Sequence, residues 1–312
     1  METPQSAALK NSRGDKMSFL NGIYKFLWKE VEKGDNKRMS GQSLPDKITA
    51  IVDVPYADDG KKEHLLDFYY PEETSSKLPT IIDIHGGGLM YAYKELNKNY
   101  CYRLAERGFT VIGVNYSLAP ENPYPACLKD VSAALTYIGD NIASYPCNPD
   151  EVFITGDSAG ALLAAQAVLL SSSEELRKAF GVKPINLDFK AAGYTSGMFE
   201  MSSGLAKFLA PGIFGKGGAK KSAFSKYLPF ADVMDKGKMP PCYLVTSKED
   251  MIRPATLHFK ALLDEKGIEN KLSDYPKGVG HKLEHVFSVL YPDYDESREV
   301  IAEMTEFFIA HI

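Results

Sequence analysis

The stretch Thr155-Gly156-Asp157-Ser158-Ala159-Gly160 decides how this chain is read. Before it lies Glu151-Val152-Phe153-Ile154, a short apolar run with β-branched members that predicts a buried strand. After it lies Ala161-Leu162-Leu163-Ala164-Ala165-Gln166-Ala167-Val168-Leu169-Leu170, rich in strong helix formers. Gly-Asp-Ser-Ala-Gly therefore falls at a strand-to-helix turn, the setting in which a G-x-S-x-G serine is held up at the end of a sheet. The turn is tight enough for side chains two positions either side of the serine to collide, which accounts for Gly156 and Gly160. Ser158 is then presented at a helix N-terminus, where free N–H groups and the helix dipole favour negative charge. A plain glycine-bounded loop is the competing account, and the flanking strand and helix weigh against it.

The 312 residues suffice for one large α/β domain with an elaboration, or for two small domains. With 44% hydrophobic and 25% charged residues the composition is that of a globular protein. A formal charge of −5 argues against a nucleic-acid partner. The first residues carry neither a basic nor an apolar leader segment, and the longest apolar run is too short to span a bilayer. Cys101, Cys127, Cys147 and Cys242 have no disulfide or zinc spacing and read as buried free thiols. A soluble, cytoplasmic protein is expected.

Along the chain, residues 1–16 are polar and expected to fray. Phe19, Leu20, Ile23, Tyr24, Leu27, Trp28 and Val31 recur at helical spacing, with Asn21-Gly22 suggesting a late helix start. Segments 48–54 and 65–70 alternate around Ala57-Asp58-Asp59-Gly60 and predict an antiparallel hairpin. Strands are expected at 80–84, 109–114, 151–154, 187–194, 243–246 and 270–275. Helices are expected at 96–107, 125–142, 254–265 and 297–310. Residues 197–238 break this alternation with many large apolar side chains and a mobile Gly215-Lys216-Gly217-Gly218 loop. Strands alternating with helices imply a mostly parallel sheet covered on both faces.

A serine hydroxyl needs a base within hydrogen-bond reach and an acid to orient that base. Functional groups of such sheets gather at the carboxyl ends of strands. Glu249 and Asp250 follow the 243–246 strand, and Asp250 is the candidate acid, with Glu249 expected to be a solvated loop carboxylate. His281 and His285 follow the last strand, and either can be the base on this rule. The order serine, aspartate, histidine is that of α/β-hydrolases. His85-Gly86-Gly87-Gly88 ends the 80–84 strand, where consecutive glycines let backbone N–H groups approach an oxyanion.

Four landmarks together resemble the hormone-sensitive-lipase-like family of α/β-hydrolase carboxylesterases. They are His85-Gly86-Gly87-Gly88, Tyr116-Ser117-Leu118-Ala119-Pro120-Glu121, Gly156-Asp157-Ser158-Ala159-Gly160 and Asp250-Met251-Ile252-Arg253. The resemblance covers about residues 48–310 and implies an α/β-hydrolase fold, with a mostly parallel eight-stranded sheet, helices on both faces and a helical cap. It implies Ser158 as nucleophile, Asp250 as acid, and Gly87, Gly88 and the N–H of Ala159 as oxyanion hole. His85 becomes a structural residue of its loop. His285-Val286-Phe287 stands where the family has His-Gly-Phe, which favours His285 over His281. Ser117 stands where the family has arginine. The implied division is a cap segment over 1–46, core over 47–196, cap insertion over 197–238 and core over 239–312. The expected activity is hydrolysis of short-chain carboxylic esters through an acyl-enzyme, with no metal or organic cofactor. The partners are a small-molecule ester and, if the apolar segments pack between copies, a homodimer.

Three other readings compete. His281-Lys282-Leu283-Glu284-His285 fits H-x-x-E-H, in which two histidines on one helix face hold zinc. Gly278 and Gly280 ahead of it, and the shortness of the remaining chain, argue against that. A hydrolase fold serving only as a ligand receptor is disfavoured by the presence of Asp250 and both histidines. An amidase, formamidase or small-peptide hydrolase would use the same machinery.

Overall fold

The computed structural model describes residues 4–200, 204–215, 218–219, 224–228 and 230–312. Its strands are β1 (Ile48–Pro55), β2 (Leu65–Pro71), β3 (Leu78–Ile84), β4 (Thr110–Val114), β5 (Cys147–Asp157), β6 (Phe189–Thr195), β7 (Cys242–Ser247) and β8 (Asn270–Tyr275). They form one eight-stranded sheet in the order β1-β2-β4-β3-β5-β6-β7-β8. β1 and β2 make the expected antiparallel hairpin, β2 is antiparallel to β4, and all later neighbours are parallel.

The helices are α1 (Pro4–Ser40), α2 (Lys98–Ala105), α3 (Ala126–Asn141), α4 (Ala159–Ser172), α5 (Glu174–Phe180), α6 (Gly204–Phe214), α7 (Phe230–Val233), α8 (Arg253–Glu265), α9 (Phe287–Leu290) and α10 (Asp295–Ile309). α2, α9 and α10 bury their apolar sides on one face of the sheet against Phe153 and Val245. α3, α4 and α8 cover the other face, against Val152, Ile154 and Leu244. The alternation of Val152, Phe153 and Ile154 between the two cores is the period of two that a doubly covered strand requires. α4 is buried along the whole of Ala159–Leu170, as a helix apolar on every side must be.

The topology places the site. From β3 the chain crosses through α2 on one face to β4; from β5 it crosses through α4 on the opposite face to β6. β3 and β5 are neighbours, so the loops leaving them diverge and open a crevice at their carboxyl ends. Those loops are His85-Gly86-Gly87-Gly88 and the Ser158 turn.

The N-terminus differs from expectation. Instead of fraying to residue 16 and starting late, α1 is one helix from Pro4, with proline in the first turn where it suits. Ala7, Ala8, Leu9 and Lys10 favour helix, and Gly22 costs only about 1 kcal/mol relative to alanine. Tyr24, two residues on, is 1% exposed and donates its hydroxyl to the Phe208 carbonyl at 2.8 Å, which fixes this turn of the helix. α5 is a further helix that the sequence reading above does not include. The Phe19 side chain, Met201 and the Lys216-Gly217 tip of the expected mobile loop lie outside the described residues.

Candidate active site

Ser158 links β5 to α4 with φ 51° and ψ −115°, a conformation an L-residue adopts only when its surroundings enforce it. Its N–H donates to Thr195 O at 2.9 Å, and its carbonyl accepts from Met198 N at 2.9 Å. Both flanking glycines sit where backbone meets backbone. A Cβ on Gly160 would lie 1.9 Å from Ile84 O, and one on Gly156 would lie 2.6 Å from the Gly160 carbonyl carbon. The start of α4 is thereby pressed against the end of β3.

The structure brings Ser158, His285 and Asp250 together. His285 Nε2 lies 2.9 Å from Ser158 Oγ, and its Nδ1 lies 2.8 Å from Asp250 Oδ1. Asp250 accepts further bonds from Ile252 N–H at 3.0 Å and from the Thr246 hydroxyl at 2.9 Å. Burial alone would push the Asp250 carboxyl up. Hydrogen bonds from His285, Ile252 N–H and Ser196, with the His285 charge, outweigh it and hold the carboxyl below its ordinary range.

Two residues around the histidine exceed what the sequence disclosed. Ser196, at φ 51° after β6, helps to lower the Asp250 carboxyl and accepts the Val286 N–H at 3.2 Å. One hydroxyl thus serves the acid and the histidine loop together. Nothing in the sequence marks this serine. Glu249, expected to be solvated, instead accepts from Gly278 N–H at 3.0 Å and Leu283 N–H at 2.9 Å. These two bonds, to Leu283 first, hold its carboxyl below the usual range. The loop has no secondary structure to satisfy its own N–H groups, and Glu249 supplies the acceptor. Ser247 Oγ donates to Leu283 O and fastens the same loop.

Gly87 and Gly88 adopt φ +99° and +61°, which turns the chain back so that Met90 and Tyr91 N–H bond Gly87 O. Among the described residues nothing accepts from the N–H groups of Gly87 or Gly88, and Ala159, first in α4, has no intrahelical partner. His85 donates from Nδ1 to Gly86 O at 3.0 Å and stacks on Tyr116 at 4.3 Å. Burial lowers it to about 4, so it is a neutral structural ring and lies away from Ser158's hydrogen-bond chain. The Tyr116 hydroxyl is shared by His85 O and Gly86 O, at 2.6 and 3.0 Å. Ser117, standing for the family's arginine, donates its N–H to Asp130 at 2.9 Å. Asp157 Oδ1 accepts Gly86 N–H at 3.0 Å and ties the glycine loop to the serine turn.

Above this floor lie α1 and α6. The atoms nearest to a Cβ built on Gly88 are Leu209 Cδ1 and the six-membered ring of Trp28. Trp28 stacks on Tyr91 with ring centroids 5.2 Å apart. Ser158 is left 8% exposed.

His281 goes elsewhere. Its Nε2 lies 3.0 Å from Glu296 Oε2, and its ring packs on Tyr294. Residues 281–285 are not helical, so His281 and His285 share no helix face, as the zinc reading requires.

In sequence and in fold the chain is similar to proteins named esterases. Esterase LipQ of Mycobacterium tuberculosis is 31% identical over 154 residues, 48% of this chain but only 36% of that protein. Carboxylesterase NlhH of the same organism is 26% identical over 236 residues, 71% of this chain and 72% of its own length. Among solved structures, esterase B from Lactobacillus rhamnosis superposes with a TM-score of 0.89 at 27% identity, covering 95% of this chain and 96% of that one. The same esterase inhibited with a C4-C4 tributyrin phosphonate gives 0.88 at 27% identity, over 94% and 95%. The family model described as alpha/beta hydrolase fold matches residues 81–285, from the strand before the glycine loop to the histidine bonded to Ser158, and the chain belongs to that family.

Proposed function

We propose that the protein is a serine carboxylesterase that hydrolyses short acyl esters through an acyl-enzyme. The observation that carries this is the chain of two hydrogen bonds, Ser158 Oγ to His285 Nε2 at 2.9 Å and His285 Nδ1 to Asp250 Oδ1 at 2.8 Å. His285 takes the Ser158 proton as Oγ attacks the ester carbonyl. The N–H groups of Gly87, Gly88 and Ala159 receive the oxyanion. His285 then protonates the leaving alcohol, and afterwards activates the water that releases the acid. Asp250 keeps the proton on Nδ1 and offsets the imidazolium charge. No step requires a metal or organic cofactor.

We read residues 1–46 and 197–238 as a two-part cap on the core formed by 47–196 and 239–312. Trp28 from the first and Leu209 from the second, both over Gly88, support this. A covered site favours short acyl groups, and the relative esterase B has been crystallised with a C4 phosphonate. A cytoplasmic location fits four buried, unpaired cysteines. The expected homodimer contact falls on the exposed Phe26, Leu27 and Phe208, and light scattering tests it. For the activity, the decisive experiment is a series of p-nitrophenyl esters from acetate to palmitate. Turnover concentrated at about two to six carbons supports the reading. Comparable turnover of palmitate rejects it.

A further inference from the structure

Beneath the serine turn two carboxylates meet without a cation. Asp83 of β3 is 2% exposed and Asp157 of β5 is 6% exposed. One amide, Asn97 Nδ2, donates to both, at 2.9 Å to Asp83 Oδ2 and at 2.9 Å to Asp157 Oδ1. Asp157 Oδ1 also receives Gly86 N–H, so it anchors the root of the glycine loop. Asp83 has in addition only a weak thiol donor, Cys101 at 3.7 Å, and its Oδ1 has no partner among the described residues. The titratable groups facing the pair are Tyr100 and Cys101 from α2, Tyr116 after β4, and His285 on the far side of Asp157. Neither aspartate forms an ion pair among the described residues.

Two carboxylates placed like this do not both ionise readily. Asp157, with two N–H donors, takes the charge. Asp83 keeps its proton, pushed up to about 7 by burial first and by the Asp157 charge second. We propose that Asp83 is a positioning residue that supports the oxyanion loop only as a neutral acid. With the proton in place, Asn97 is shared and Asp157 holds Gly86. Once Asp83 ionises, it competes for Asn97, repels Asp157 and loosens the glycine loop. The inference rests on the serine-esterase reading.

The test measures kcat and KM for p-nitrophenyl butyrate from pH 6 to 9, with melting temperature from pH 4 to 9, on the full chain and on Asp83→Asn. The native kcat falls about tenfold in a single ionisation near neutral pH with KM unchanged, less than the loss from deleting an oxyanion donor. Asp83→Asn, which carries an amide of the same shape, keeps its plateau. The folded Asp83 retains a proton that the unfolded chain releases near pH 4, so native stability falls as pH rises from about 4 to 7. The melting temperature of Asp83→Asn relative to native therefore climbs across that window. An unchanged alkaline limb in Asp83→Asn, a native profile without one, or a constant difference in melting temperature overturns the proposal. Asp83→Ser serves if the asparagine variant does not fold. In Cys101→Ala the limb persists; its loss there assigns it to the thiol and overturns the inference. Ser158→Ala separates the two readings, since turnover in it beyond what an oxyanion hole alone supplies refutes Ser158 as nucleophile and leaves the melting data to judge Asp83.

Discussion

At the scale of residues, positive φ recurs at the groups that meet the histidine: Ser158 at 51°, Ser196 at 51° and Val286 at 54°. Val286 stands where the family has glycine, and magnitudes explain why valine is tolerated. Left-handed strain costs about 1–3 kcal/mol. Burying the side chain among Leu283, Phe287 and their neighbours returns about 1.5–3 kcal/mol. The two nearly cancel, so Val286→Gly is expected to change stability by less than about 1 kcal/mol, read from chemical denaturation. Ser196→Ala is different, because it strands the buried Val286 N–H and removes a polar group that helps to lower the Asp250 carboxyl. It should lose about 1–3 kcal/mol of stability and lower kcat as well. His285→Ala should lower kcat by about three orders of magnitude or more and His281→Ala by little. The reverse ranking would reassign the base. Asp250 adds a pH signature. Its folded pKa is depressed, so its stabilisation is complete above about pH 4 and is lost as pH falls through the folded value. Acid melting curves of Asp250→Asn should lack that loss.

At the scale of elements, the loop from β8 to α9 is held largely by side chains from neighbouring segments. Glu249 does this from the neighbouring strand end, bonding Gly278 and Leu283 on the way to His285. Glu249→Ala should lower kcat about tenfold with little change in KM, since it misplaces the base without touching the substrate. Equal effects on kcat and KM would point to a direct substrate contact. The strands, the serine turn and the glycine loop were legible in the sequence because each is specified locally: β-branched runs between turn residues, and glycines where backbones collide. Ser196 and Glu249 were not legible. Their partners lie 90 and 34 positions away, at Val286 and Leu283, and no spacing rule links one serine or glutamate to a distant backbone N–H. Strand-end position alone left His281 and His285 open, since the choice depends on which ring reaches across to Ser158; the resemblance at His285-Val286-Phe287 is what favours His285. The early start of α1 has a tertiary reason that local sequence does not carry, its Tyr24 turn being fixed by Phe208 on α6.

Across the whole molecule, α1 reaches from above the glycine loop to the far side of the histidine segment. Arg38 of α1 and Gln42 just beyond it both donate to Leu290 O, at 2.9 and 2.6 Å, and Asp35 accepts the Tyr91 hydroxyl at 3.0 Å. Deleting residues 1–31 removes Trp28 and leaves those ties in place. The truncated protein is expected to fold and to shift its acyl preference towards longer chains. An unchanged profile in a folded, active truncation would remove the N-terminal half of the cap. The small exposure of Ser158 under Trp28 and Leu209 has a practical corollary for chemical proteomics. Attack at phosphorus requires the reagent to descend past an indole and an isobutyl group, so labelling becomes a measure of reagent girth. Compact alkyl fluorophosphonates should react quickly, whereas probes carrying a bulky reporter beside the phosphorus should react slowly until residues 1–31 are removed, so that the ratio of the two rates gauges how far Trp28 narrows the approach to Ser158.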